Sequence, residues 1–143
     1  MLKRFFIFIL CLLPWFLASL IPVDYNYYKE IILPWFAPPN IFYRIAWTMT
    51  EIVYSYKFKE IPLSYKITLV VNYLFNQSYT LVFFGLKSNF LGFISCLGTF
   101  ISCLFLINET YNLKEKTAKL LFPYSLLSIF AVVLSFTIYI LNL

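Results

Sequence analysis

Histidine is missing from the 143-residue chain, glycine occurs three times, and charged residues make up only 12% of it. Without imidazole there is no Ser-His-Asp relay, no histidine-held haem iron and none of the usual hydrolytic zinc sites. The six acidic residues are scattered, and the three cysteines, Cys11, Cys96 and Cys103, stand in apolar stretches without metal-ligand spacing. Buried thiols of that kind behave as small hydrophobes. The chain is therefore not read as an enzyme, and no metal, cofactor or nucleic-acid partner is expected.

What is plentiful is apolar and aromatic surface: 62% of the residues are hydrophobic, with 17 Phe, 12 Tyr and 3 Trp. A soluble fold of that composition would expose large apolar patches to water, whereas a bilayer removes the problem. Each crossing takes roughly 20 apolar residues, so five crossings with short loops use nearly the whole length. The expectation is a single all-α domain over 1–143, an integral membrane bundle of five transmembrane helices. They fall at about 5–22, 41–56, 63–84, 89–107 and 120–143. The first run could be mistaken for a cleavable leader, but it lacks a good cleavage site and four further runs follow.

Between the first two runs, residues 23–40 change character. Asp24, a tyrosine group at 25, 27 and 28, Lys29-Glu30 and Pro34, Pro38 and Pro39 make a semi-rigid segment suited to the water interface. Orientation follows from basic residues. Lys3, Arg4, Lys57, Lys59, Lys66, Lys114, Lys116 and Lys119 fall on one side, Lys29 and Lys87 on the other. The positive-inside rule then puts the N-terminus in the cytoplasm, with the proline segment and the C-terminus on the extracytoplasmic side.

Helical spacing gathers polar and aromatic residues into stripes. Arg44, Trp47 and Glu51 align on the second helix, Asn72, Asn76, Tyr79 and Phe83 on the third, and Tyr124, Leu127, Ala131 and Ser135 on the fifth. Unpaired polar groups are costly in hydrocarbon, so these stripes are expected to face inward. Two readings remain open. Asn72, Asn76 and Ser135 serve as interhelical glue while the aromatics fill the bundle, or the stripes wall a pocket for a flat amphipathic ligand. Arg44 also suits a snorkelling role at a helix end, and Glu51 pairs most simply with Arg44 or Lys66.

Three ordered segments are similar to the TspO/MBR family of translocator and tryptophan-rich sensory proteins. The first is Tyr27-Tyr28, then Pro34-Trp35-Phe36-Ala37-Pro38-Pro39, then Trp47. The second runs from Asn76 through Tyr79 to Phe83-Phe84-Gly85. The third is Ala118-Lys119-Leu120-Leu121-Phe122-Pro123-Tyr124, followed by Phe130-Ala131. The resemblance implies a receptor- or transporter-like protein that binds a tetrapyrrole such as protoporphyrin, or another apolar molecule, between the helices under the 23–40 segment. The implied site comprises Phe36, Pro38 and Pro39 of that segment, Arg44, Trp47 and Glu51, then Asn76, Tyr79, Phe83 and Leu91, and finally Tyr124, Leu127, Ala131 and Ser135. A homodimer is also implied, and lipid is the remaining partner.

The departures shape what is expected. Tyr79 and Leu127 replace tryptophans, Ile41 and Leu91 replace aromatics, Ile45 a proline and Ser135 an asparagine. No basic residue follows Tyr139, so the pattern used to argue for cholesterol is incomplete. Two alternatives stand beside ligand binding. One is light-dependent porphyrin breakdown, for which Leu127 lacks the second indole; the other is a structural role in assembling a larger membrane complex.

Overall fold

Hydrocarbon offers no partner to a bare amide or carbonyl, so apolar runs of membrane length close their hydrogen bonds within themselves as helices. The computed structural model describes Asp24 and residues 26–38, 62–113 and 118–143. Beyond a one-turn helix, α1 (Tyr27–Glu30), it contains three long helices: α2 (Leu63–Tyr79), α3 (Asn89–Leu113) and α4 (Phe122–Leu141). α2 continues as a π-helix over Thr80–Gly85, and a 3-10 turn at Lys119–Leu121 leads into α4. Spans of 23, 24 and 20 residues within them are long and apolar enough to cross a membrane. The protein is an all-α integral membrane bundle. These are the third, fourth and fifth predicted crossings; the first two, 5–22 and 41–56, lie outside the described residues.

Two boundaries differ from the sequence expectation. The fourth predicted crossing was expected to stop at 107, before Asn108-Glu109-Thr110, yet α3 continues to Leu113. Asn108 stays exposed, but the next two polar groups are taken into the packing: Thr110 is fully buried and donates to the Leu106 carbonyl at 2.6 Å, and Glu109 accepts from Thr68 of α2 at 3.2 Å. The fifth begins as a helix proper at Phe122, with Pro123 in its first turn, where a missing N–H costs nothing.

α3 stands between α2 and α4 and packs on both. Its residues Ser95, Thr99, Ser102, Leu106 and Thr110 recur at helical spacing and are all buried. Small side chains let the backbones approach closely, as in other membrane helix pairs. Asn72 of α2 is the node of this seam. Its Nδ2 donates to the Thr99 carbonyl at 3.0 Å and to Ser102 Oγ at 2.9 Å, while its Oδ1 accepts from the Tyr124 hydroxyl of α4 at 2.8 Å. One buried amide thereby joins all three helices. On the adjacent face of α3, Cys96 contacts Ser135 of α4 at 3.1 Å, and Cys96 and Cys103 are both buried, in line with a structural role for these two thiols; Cys11 lies outside the described residues.

Gly92 and Gly98 mark the closest approaches. A Cβ on Gly92 would meet Cδ2 of the fully buried Phe83 ring at 2.8 Å, and one on Gly98 would run into the Phe75 ring. Phe75 is 37% exposed and has room to swing outward, whereas Phe83 has none. Gly92→Ala is accordingly expected to destabilise the bundle by about 1–3 kcal/mol, the usual scale of overpacking. Gly98→Ala should destabilise by less than Gly92→Ala: its Cβ would overlap the Phe75 ring as far in as Cγ, but that ring can turn outward and alanine is the better helix former. Thermal unfolding of both variants in detergent checks this; equal midpoints would contradict it.

Candidate functional site

The α1 end of the bundle carries the densest aromatic group in the described structure. Its floor is set by the π-helical turn at Thr80–Gly85, which brings Phe83 and Phe84 onto adjacent faces with their rings edge to face at 4.9 Å. Tyr79 stacks on Phe83 at 5.0 Å and an interplanar angle of 11°. Such single-turn π segments often mark functional positions in helices. Phe83, Leu134, Ile138 and Tyr27 form a buried cluster, with Tyr28, Leu33, Phe36 and Tyr79 among the side chains packed around it.

Residues 26–38 lie over this cluster because local chemistry fixes them at several points. Asp24 accepts from the Asn26 N–H at 3.0 Å, and the Asp24 carbonyl accepts from the Tyr27 N–H at 3.1 Å, so the chain turns before α1. The Tyr27 ring packs edge-on against Phe83 at 5.5 Å. Its hydroxyl reaches Asn89 Oδ1 at 2.9 Å and the Lys87 carbonyl at 3.1 Å, in the turn between α2 and α3. Lys87 itself adopts φ 51°, a left-handed conformation unusual for a non-glycine residue.

From that turn the Lys87 ammonium meets Asp24 at 2.9 Å and Glu30 at 3.7 Å, and it sits 5.6 Å from the centre of the Tyr27 ring. The hydrogen bond from Lys87 holds the Asp24 carboxyl below its usual range, and the same bond raises Lys87 above the usual lysine range. Asp24's contribution is fully present above about pH 3.9, its ordinary value, and is lost only as pH falls through the lowered one. That of Lys87 is fully present below about pH 10.4 and is lost as pH rises through the raised value. Both groups thus stay charged through neutrality. Their exposure, at 45% and 41%, keeps the pair weak and salt-sensitive.

Farther along, Asn142 just past α4 exchanges two hydrogen bonds with one backbone residue. Its Oδ1 accepts from the Ile32 N–H, and its Nδ2 donates to the Ile32 carbonyl, both at 2.9 Å. A tight turn follows, closed by the Ala37 N–H on the Pro34 carbonyl at 3.0 Å. It buries Pro34, leaves Trp35 almost wholly exposed, and sets Phe36 edge-on against Phe130 at 6.3 Å.

The structure brings Phe36, Tyr79 and Phe83 of the predicted site into one cluster, with Pro38 half-buried at the end of the segment. Leu127 and Ala131 are half-buried and share the α4 face of Leu134 and Ile138 by spacing. Asn76 and Tyr124 belong to the Asn72 node instead, Asn76 donating to the Tyr124 hydroxyl at 3.4 Å. Ser135 is 3% exposed and occupied by Cys96, while Leu91 stands 40% exposed on α3. Pro39, Arg44, Trp47 and Glu51 lie outside the described residues. Sequence reasoning missed Phe84, Leu134 and Ile138 as members of the cluster, and Phe130 as the ring that Phe36 meets at its edge. The i, i+4, i+8 spacing of Phe130, Leu134 and Ile138 was the available signal. Among the described residues no group of three potential metal ligands occurs.

Comparison with known proteins agrees with this architecture. The model of the TspO/MBR family matches residues 6–141. The chain is 34% identical over 134 residues to the Tryptophan-rich protein TspO of Bacillus cereus (strain ATCC 14579), covering 87% of this chain and 86% of that one. It is 32% identical over 133 residues to the uncharacterized membrane protein YtaB of Bacillus subtilis (strain 168), covering 87% and 85%. With nearly the full length matched by the family and by both relatives, the chain belongs to the TspO/MBR family, a group of membrane-embedded proteins with binding or transport-like function.

Proposed function

We propose that the protein binds a flat apolar ligand, a tetrapyrrole such as protoporphyrin, between its helices beneath residues 23–40, and acts as a receptor or carrier. The observation that supports this most is the pairing of family membership with an aromatic floor, Tyr79, Phe83 and Phe84, lying under a segment fixed to the bundle at both Tyr27 and Ile32. Aromatic faces and aliphatic walls favour a planar conjugated ring through stacking and desolvation. On this reading the segment and the C-terminus lie on the extracytoplasmic side, the N-terminus is cytoplasmic, and the partners are the ligand, lipid and a second copy of the chain.

Protoporphyrin titration followed by tryptophan fluorescence tests the proposal. Trp47→Phe is expected to remove most of the ligand-induced quenching, because Trp15 falls in the first predicted crossing and Trp35, 96% exposed, projects away from the cluster. Quenching unchanged in that variant would place the ligand elsewhere.

Light-driven porphyrin breakdown is the second reading. If it needs two indoles facing the ring, Leu127 supplies none. Tyr124 is the natural substitute donor, but its hydroxyl is engaged with Asn72 and Asn76. The illuminated protein is expected to lose protoporphyrin's Soret absorbance no faster than a control membrane protein, and Leu127→Trp is expected to gain activity. Rapid loss in the unmodified protein, abolished by Tyr124→Phe or Tyr79→Phe, would make this protein an enzyme.

A further inference from the structure

Residues 26–38 form a strap over the α1 end of the bundle, and its two halves differ in composition. Lys29 and Glu30 fall in the first half, close behind Asp24. The second half, residues 31–38, reads Ile-Ile-Leu-Pro-Trp-Phe-Ala-Pro, with the indole N–H as its one polar side-chain group. Ile31, Leu33, Phe36 and Ala37 pack on the cluster beneath and Pro34 is buried, yet Ile32 is 62% and Trp35 96% exposed. A stretch this apolar is poorly suited to water. Its backbone is prepared for a drier place. Pro34 and Pro38 carry no N–H, the Ile32 N–H and carbonyl are both taken by Asn142, and the Ala37 N–H closes on the Pro34 carbonyl. That last bond makes a turn whose tip presents Trp35 away from the bundle.

Contacts with α4 set the depth of the tip. α4 has 20 residues, and at about 1.5 Å per residue it is about 30 Å long, the thickness of the hydrocarbon layer. Asn142, bonded to Ile32, therefore marks the level at which α4 leaves the hydrocarbon. The strap then descends. Phe36 meets the Phe130 ring at 6.3 Å, and Phe130 stands eleven residues before Leu141, about 16 Å below the end of the helix. The Phe130 side chain leans toward the start of α4, which places its ring deeper still. The Trp35 ring is 5.7 Å from that of Phe36, so the two steps from Phe130 to Trp35 span at most 12 Å. However the rings are arranged, the indole lies at least about 4 Å below the end of α4. One turn to either side of Phe130, α4 exposes Leu126 and Val133 at 55% and 51%, surface that in a transmembrane helix faces lipid.

We infer that residues 31–38 are seated in the bilayer boundary rather than in water, with the Trp35 indole inserted among phospholipids beside α4 as the anchor of the strap. At the junction of acyl chains and headgroups the ring body leaves water while its N–H still meets ester oxygens, the dual environment that indoles favour. The anchor is a property of the protein without ligand, and it stands whether or not a tetrapyrrole binds beneath.

The test uses the full chain in phosphatidylcholine vesicles, without ligand. Trp15→Phe and Trp47→Phe together leave Trp35 as the single indole; the emission lost on Trp35→Phe in the otherwise unaltered protein isolates the same signal and guards against misfolding of the double variant. Trp35 emission is expected to be blue-shifted from that of tryptophan in water and several-fold less open to acrylamide than the free amino acid. Lipid brominated near the head of its acyl chains should quench it several-fold more than lipid brominated near their ends. Emission at the free-tryptophan position with full acrylamide access would put Trp35 in water and overturn the inference. Protection from acrylamide and from both brominated lipids would mean that protein covers the ring, a second copy included, and would overturn it equally. Stronger quenching from the chain ends would overturn the placement at the boundary.

Discussion

The Asn72 side chain is the interaction around which the rest of the described bundle is arranged. In hydrocarbon the hydrophobic effect does not draw helices together, since lipid tails are as apolar as leucine, so packing and polar satisfaction decide which faces meet. An amide on α2 with no partner would be costly there. Asn72 meets the demand by spending both donors on α3 and its acceptor on Tyr124 of α4. Rotation of any of the three helices breaks at least one of these bonds. The small residues of α3 then permit the close approach that the bonds require.

With those rotations fixed, Phe83 and Tyr79 are delivered to the same end of the bundle as Leu134 and Ile138. The π-helical turn after α2 completes the aromatic floor, and the strap settles on it through Tyr27. The two functions of the buried face are therefore separated along its length: hydrogen bonds occupy the stretch around Asn72, and stacked rings occupy the end under the strap. Asn76 and Tyr124 serve the first, Phe36 and Phe83 the second. Of the two readings left open by the sequence, interhelical glue describes the stretch around Asn72, and the stacked rings at the other end are the part on which the proposed pocket rests.

The three described crossings were legible because their apolar length has almost no alternative reading in a chain this poor in charge. The inward stripe of α2 was equally clear, since Asn72, Asn76, Tyr79 and Phe83 obey helical spacing and all but Tyr79 are buried. The strap's fastenings were not legible. Asn142 is 110 residues from Ile32, and a lone asparagine after a helix reads as a cap. Lys87 entered the sequence reading only as a charge count for orientation, while its left-handed backbone and contact with Asp24 depend on where the turn sits in space. The π-helix was invisible too, because it shifts register by one residue without changing composition.

The dependence on Asn72 is tested most directly by a double-mutant cycle of Asn72→Leu and Tyr124→Phe, followed by unfolding in detergent. If the node joins α2 to α4 as described, the single changes will each destabilise the bundle and the double change will cost less than their sum, with a coupling of about 0.6–1.7 kcal/mol. Additivity to within about 0.3 kcal/mol would mean that the two side chains do not depend on each other, and that the helix faces are chosen by packing alone.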